Sequence, residues 1–281
     1  RRLIFFTYLL MSPLLAEVSG EPNLNAVPAL FEVPSLTLQE PGPGIRAKMV
    51  SKGWKSTHIY HALYLPKDWD TDRNWPVIIE YPGNGGYSND QGDVSNGTLE
   101  DCMMGYGLSS GTGFIWVSMP FVDQKGNIAL QWWGDVEATK RYCMDTVRDV
   151  CRDFNGDPTR VILAGFSRGA IACNYIGLHD DSIAKIWCGM ICHSHYEGEF
   201  KHPALDQDKW PERLKRLGSR PQFISHERTV QPIRNAIQSI SYKGNFTFGV
   251  LPFKNHSARW ILCDLKLRKD AIQWLSQFSN K

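Results

Sequence analysis

The sequence predicts an α/β fold, a mostly parallel central sheet of about eight strands with helices on both faces. Short apolar runs of strand length, bounded by glycine and proline, alternate with segments whose apolar residues recur at helical spacing. That alternation is what a parallel sheet covered on both sides produces. No internal repeat or low-complexity segment interrupts it, so one domain over residues 46–281 accounts for the pattern.

The elements follow in order. Residues 1–20 begin with Arg1 and Arg2, continue through an apolar run broken by Thr7, Ser12 and Pro13, and reach Ala16, Ser19 and Gly20. A charged start, an apolar middle and a small-residue end make a signal peptide, which predicts a secreted or periplasmic protein. The run is short for a bilayer span, so no stable membrane anchor is expected. Residues 21–45 carry Pro22, Pro28, Pro34, Pro41 and Pro43 without periodicity and read as a Pro-rich surface strap. Strands are expected over 58–65, 75–81 (WPVIIEY), 113–122, 161–164, 185–192, 221–225 and 246–253. Helices are expected over 135–154, 170–178, 230–240 and 269–278.

Composition excludes several classes of function. Net charge is +2 with basic residues scattered along the chain, which leaves no electrostatic footprint for nucleic acid. None of the seven cysteines falls in a CxxC or metal-finger spacing. In an exported chain they would permit up to three disulfides, with one thiol left over.

One pentapeptide carries chemistry. Gly165-Phe166-Ser167-Arg168-Gly169 is a GxSxG sequence, preceded directly by the strand VILA and followed by the small helix-opening residues Ala170 and Ala172. A serine on a sharp strand-to-helix turn has its hydroxyl raised above the sheet, with the helix N-terminus behind it. On these residues the chain resembles the α/β-hydrolase superfamily, and NGDPTRVILAGFSRGA is similar to the nucleophile segment of its esterase branch. The segments around Gly83 and His256 also match in detail; the remainder of residues 46–281 matches only as a pattern of elements.

The resemblance implies a Ser-His-acid triad in the chain order serine, acid, histidine. Ser167 is then the nucleophile and His256, 89 residues later in the loop after the last strand, the base. Glu227, in the loop after PQFIS, is the preferred acid, with Asp206 and Asp208 as alternatives. The oxyanion hole would combine the backbone N–H of Arg168 with one from Asn84 or Gly85 in the loop Pro82-Gly83-Asn84-Gly85-Gly86, where many members carry His-Gly-Gly. Trp133, His193 and His195 are candidates for lining the substrate pocket, with a core or lid role the stronger reading for Trp133 and local hydrogen bonding the alternative for the two histidines. The Arg168 side chain is a candidate partner for an anionic substrate group.

The expected activity is hydrolysis of a carboxylic ester, small or linked to a polysaccharide, through an acyl-enzyme and without cofactor or metal. Two rivals stand beside it: a serine peptidase of the prolyl-oligopeptidase kind, and a non-catalytic binding module on a hydrolase scaffold. Sequons occur at Asn96, Asn245 and Asn255, and a glycan on Asn255 would crowd His256.

Overall fold

The protein's computed structural model describes residues 21–279, so the signal-peptide reading of residues 1–20 lies outside the described residues. The chain runs through β1 (Leu36–Thr37), β2 (Arg46–Met49), β3 (His61–Tyr64), β4 (Trp75–Tyr81), β5 (Tyr87–Ser88), β6 (Val94–Ser95) and α1 (Met104–Ser109). It continues through β7 (Ile115–Ser118), α2 (Val136–Asp153), β8 (Gly156–Phe166), α3 (Arg168–Tyr175), α4 (Asp181–Ala184) and β9 (Trp187–His193). The last elements are α5 (Trp210–Lys215), β10 (Pro221–His226), α6 (Gln231–Ser239), β11 (Asn245–Val250) and α7 (Lys266–Leu275).

Nine strands form the main sheet, in the order β1-β2-β3-β7-β4-β8-β9-β10-β11. From β7 to β11 every pairing is parallel, and β3 alone runs against both its neighbours. The Pro-rich segment holds more structure than its sequence suggests, since β1 lies within it and Leu24 is fully buried. Strands β1 and β2 are two and four residues long, too short for alternation to register.

The period of two explains how the sheet divides the core. On β4, Val77, Ile79 and Tyr81 face one apolar layer while Ile78 faces the other. On β8, Val161 and Leu163 alternate with Ile162 and Ala164 in the same way. The first layer packs under α2, α3, α5 and α6, and the second under α1 and α7. Both faces of the central strands are therefore dry, which is why WPVIIEY is apolar but for Glu80, whose buried carboxylate accepts from the N–H groups of Met103, Met104 and Gly105 and from Trp116 Nε1. Helix α2 starts where Asp135 accepts a hydrogen bond from the Ala138 N–H at 2.8 Å. Among the described residues no helix is long and apolar enough to cross a membrane, and no disulfide joins the seven cysteines.

The topology has one consequence for function. The loops that follow β4, β8, β9, β10 and β11 all leave from the carboxyl ends of parallel neighbours, and ligands of such sheets bind there.

Candidate active site

Ser167 caps the junction of β8 and α3 with φ 54° and ψ −117°, a conformation that side chains rarely adopt. The turn closes so tightly that a Cβ on Gly165 would lie 2.1 Å from the Gly169 carbonyl oxygen. One on Gly169 would lie 2.1 Å from that of Tyr81. Only glycine fits at either place, and this accounts for the spacing of the pentapeptide. The Ser167 N–H donates to the His193 carbonyl at 3.0 Å, which fixes the backbone and leaves the hydroxyl aimed off the sheet.

Two further loops supply the groups that follow that hydroxyl. His256, beyond β11, places Nε2 2.9 Å from Ser167 Oγ. Its Nδ1 stands 2.8 Å from Oε1 of Glu227, beyond β10. With Nδ1–H donating to the carboxylate, Nε2 carries the lone pair and accepts from the serine. Burial alone would raise the Glu227 carboxyl. The His256 hydrogen bond and the surrounding imidazoles outweigh it and hold the group well below the usual carboxylate range. An ionised carboxylate, an oriented imidazole and a hydroxyl in one hydrogen-bonded chain can transfer a proton from Oγ to Nε2 and hold the resulting imidazolium. Asp206 instead pairs with Lys209 at 2.9 Å on the neighbouring 3-10 turn, and Asp208 belongs to the same turn.

Two residues that sequence reasoning passed over complete this chain. Ser194, fully buried beyond β9 at φ 87°, donates from Oγ to Glu227 Oε1 at 3.0 Å and lies 2.9 Å from His256 Nδ1. Asp93, 3% exposed, accepts from the His256 backbone N–H at 2.9 Å through Oδ2 and from Asn255 Nδ2 at 2.8 Å through Oδ1. No local motif marks either residue. Ser194 is one serine among many, and Asp93 lies 163 residues from the histidine it holds.

Asn255 sits at the centre of this second network. It is fully buried, its Oδ1 accepts from the Leu24 N–H at 2.7 Å, and its Nδ2 donates to Asp93 and to Asn23 Oδ1. A glycan has no access to that amide in the folded protein. Asn255→Gln should cost about 1–3 kcal/mol, the penalty for misplacing a buried hydrogen-bonded amide, and thermal unfolding would show the lowered midpoint.

Other expectations need correction. Gly85 is not a free oxyanion donor: its N–H already donates to the Leu130 carbonyl at 2.8 Å. Asn84 remains the candidate, its Oδ1 accepting from the Trp132 N–H at 2.8 Å so that the loop is fixed beside Ser167 and Arg168. The Arg168 guanidinium does not reach substrate. It is 1% exposed, donates to the carbonyls of Trp132 at 2.9 Å and Gly97 at 3.1 Å, and lies 4.0 Å from the Phe121 ring centroid. Burial pushes its pKa down to about 9. It clamps the loops flanking the serine, and sequence alone does not show the direction of an arginine.

Trp133 is core, stacked on Tyr175 at 4.7 Å with its Nε1 donating to the Ala204 carbonyl. Its neighbour Trp132 is the one that borders the cleft, stacked on His202 at 3.7 Å. His193 is also core, fully buried against Trp260 with Nδ1 2.9 Å from Ser225 Oγ. His195 does line the cleft, 5.1 Å from the His256 ring. Burial lowers the pKa of His193 to about 3 and that of His195 to about 4, so both are neutral near pH 7. Among the described residues no group of three or more His, Cys, Asp or Glu side chains could hold a metal ion.

No protein-family model matches the sequence, and comparison with curated proteins finds no match. Solved structures do match. An acetyl ester-xyloside bifunctional hydrolase from Caldicellulosiruptor lactoaceticus aligns over 85% of this chain and 99% of its own, with 15% identity and a TM-score of 0.58. The AtxE2 isopeptidase aligns over 83% of this chain with 15% identity and a TM-score of 0.53, and a putative dipeptidyl aminopeptidase IV from Bacteroides ovatus over 82% with 14% and 0.53. This chain spans only 40% and 35% of the length of those two proteins. The shared architecture is the α/β-hydrolase fold.

Proposed function

We propose that this α/β-hydrolase-fold protein is a serine hydrolase that cleaves carboxylic esters through an acyl-enzyme on Ser167. One observation carries the reading: Ser167 Oγ, His256 and Glu227 form a continuous chain with links of 2.9 and 2.8 Å at the carboxyl ends of parallel strands. His256 Nε2 takes the hydroxyl proton as Oγ attacks the ester carbonyl carbon. The N–H groups of Arg168 and Asn84 receive the oxyanion. The carbon–oxygen bond to the alcohol then breaks, and His256 returns the proton to the departing oxygen. Water repeats the sequence on the acyl-enzyme, releasing the acid and restoring Ser167.

The hydrolase from Caldicellulosiruptor lactoaceticus acts on acetyl esters by its name, and ester cleavage is the class we extend to this chain. The leader pattern of residues 1–20 supports action outside the cytoplasm. A fluorophosphonate probe tests the reading: it should label the folded wild type on Ser167 and leave Ser167→Ala unlabelled. An unlabelled wild-type protein would point to the binding module instead. Turnover of peptides in place of esters would reassign the substrate to the peptidase class.

A further inference from the structure

Two connected spaces meet at the reacting centre. A cleft of about 240 Å³ is bordered by Ser167, Asn84 and Arg168, with Trp132, Phe200 and Ile171 as its apolar walls. A groove of about 650 Å³ is bordered by His256 and Glu227 but not by Ser167. Tyr87, His195 and His256 line both, so the two are continuous.

The proposed chemistry assigns each space a part of the substrate. The oxyanion N–H groups and the nucleophile bind the acyl carbon, so the acyl chain lies in the cleft. His256 must deliver a proton to the departing oxygen, so the alcohol lies on the histidine side, in the groove. The cleft is smaller than the roughly 300–1,000 Å³ that drug-sized ligands occupy, whereas the groove falls within that range. A short acyl group and a large alcohol fit.

The groove's side chains describe that alcohol. Asp90, Gln91 and Arg228 make no side-chain hydrogen bond to any described residue. Glu199 has a buried Oε2 without a partner. Carboxylate, amide and guanidinium groups are planar and can engage two neighbouring hydroxyls at once. Their charges have both signs, which suits a neutral ligand better than an anion or a cation. Burial pushes the Glu199 carboxyl up, and a hydroxyl donating to Oε2 would satisfy that oxygen.

We propose that the substrate is an ester between a short acyl group and a hydroxyl-rich alcohol of the sugar class, the acyl group seated in the cleft and the sugar in the groove. The proposal rests on the serine-hydrolase reading above. Two ester series test it, p-nitrophenyl esters of two, four and eight acyl carbons, and acetates of ethanol, glucose and cellobiose. We expect kcat/KM for acetyl to exceed octanoyl at least about tenfold. Acetylated sugar should exceed ethyl acetate by about 100-fold, the worth of two charge-assisted hydrogen bonds. Cellobiose above glucose would identify an oligosaccharide; equality would identify a single sugar. Glu199→Gln and Arg228→Met should each cut the ratio of acetyl-sugar to p-nitrophenyl acetate turnover by about tenfold. Arg228 is exposed, so its variant keeps the test sound if the Glu199 change disturbs folding. Faster turnover of octanoyl than acetyl, or no preference for sugar over ethanol, in a protein that still labels on Ser167 overturns this proposal alone. Failure to label overturns the reading beneath it.

Discussion

Ser167→Ala should lower kcat for ester hydrolysis by about 10⁵–10⁶-fold, and His256→Ala should lower it by a similar factor. The double variant should be no worse than either single one. The serine and histidine act as one unit, because the hydroxyl is a weak nucleophile until the 2.9 Å hydrogen bond to Nε2 receives its proton. Once either member is gone, the other has nothing left to contribute. Steady-state assays on a p-nitrophenyl ester would measure all three factors. A double variant with multiplied losses would show that the two residues act independently, which the geometry opposes. Thermal unfolding separates these losses from misfolding. Ala at position 167 inherits the φ of 54°, so some strain remains.

Glu227→Gln should lower kcat by about 10³–10⁴-fold, the scale on which an amide in place of a buried triad carboxylate acts. The volume is nearly unchanged, but the charge that stabilises imidazolium is lost. The amide can also donate to Nδ1 and so select the wrong tautomer. The same residue predicts a pH effect on stability. Its pKa is depressed in the folded state, so its contribution is present above the unfolded glutamate value of about 4.3 and is lost as pH falls through the lower folded value. Wild type should therefore lose more stability than the variant on acidification below about pH 4, read as Tm against pH. Asp208→Asn, on the neighbouring 3-10 turn, should change kcat less than twofold. A large loss there, with none at Glu227, would transfer the acid role.

What could be read in advance followed from local chemistry. VILA before GFSRG and the two small residues behind it specify a strand, a turn and a helix within twelve residues, and short-range sterics decide such a unit. WPVIIEY was readable because a strand buried on both faces is apolar nearly throughout, Glu80 being its one charged residue. Features decided by distant contacts were not readable. Trp132 and Trp133 are adjacent and identical, and only the packing of Tyr175 and His202 sends one into the core and the other to the cleft. The Gly85 N–H was promised to Leu130, 45 residues away. The Arg168 guanidinium follows carbonyls supplied by residues 97 and 132. Strands β1 and β2 carry too few residues to show a period, and their pairing partners create them.

The clasp between Asn23, Leu24 and the loop of Asn255 and His256 joins segments more than 230 residues apart. During synthesis the ribosome delivers the first of these long before the last, and loop closure over that span comes late and slowly. The Asp93 carboxylate is held early by Asn89, whose Nδ2 donates to Oδ2 at 2.8 Å, and takes up the histidine loop only when residues 255 and 256 arrive. The hydrogen-bonded chain from Ser167 through His256 to Glu227 is thus complete only when the last quarter of the protein has docked against its first described residues.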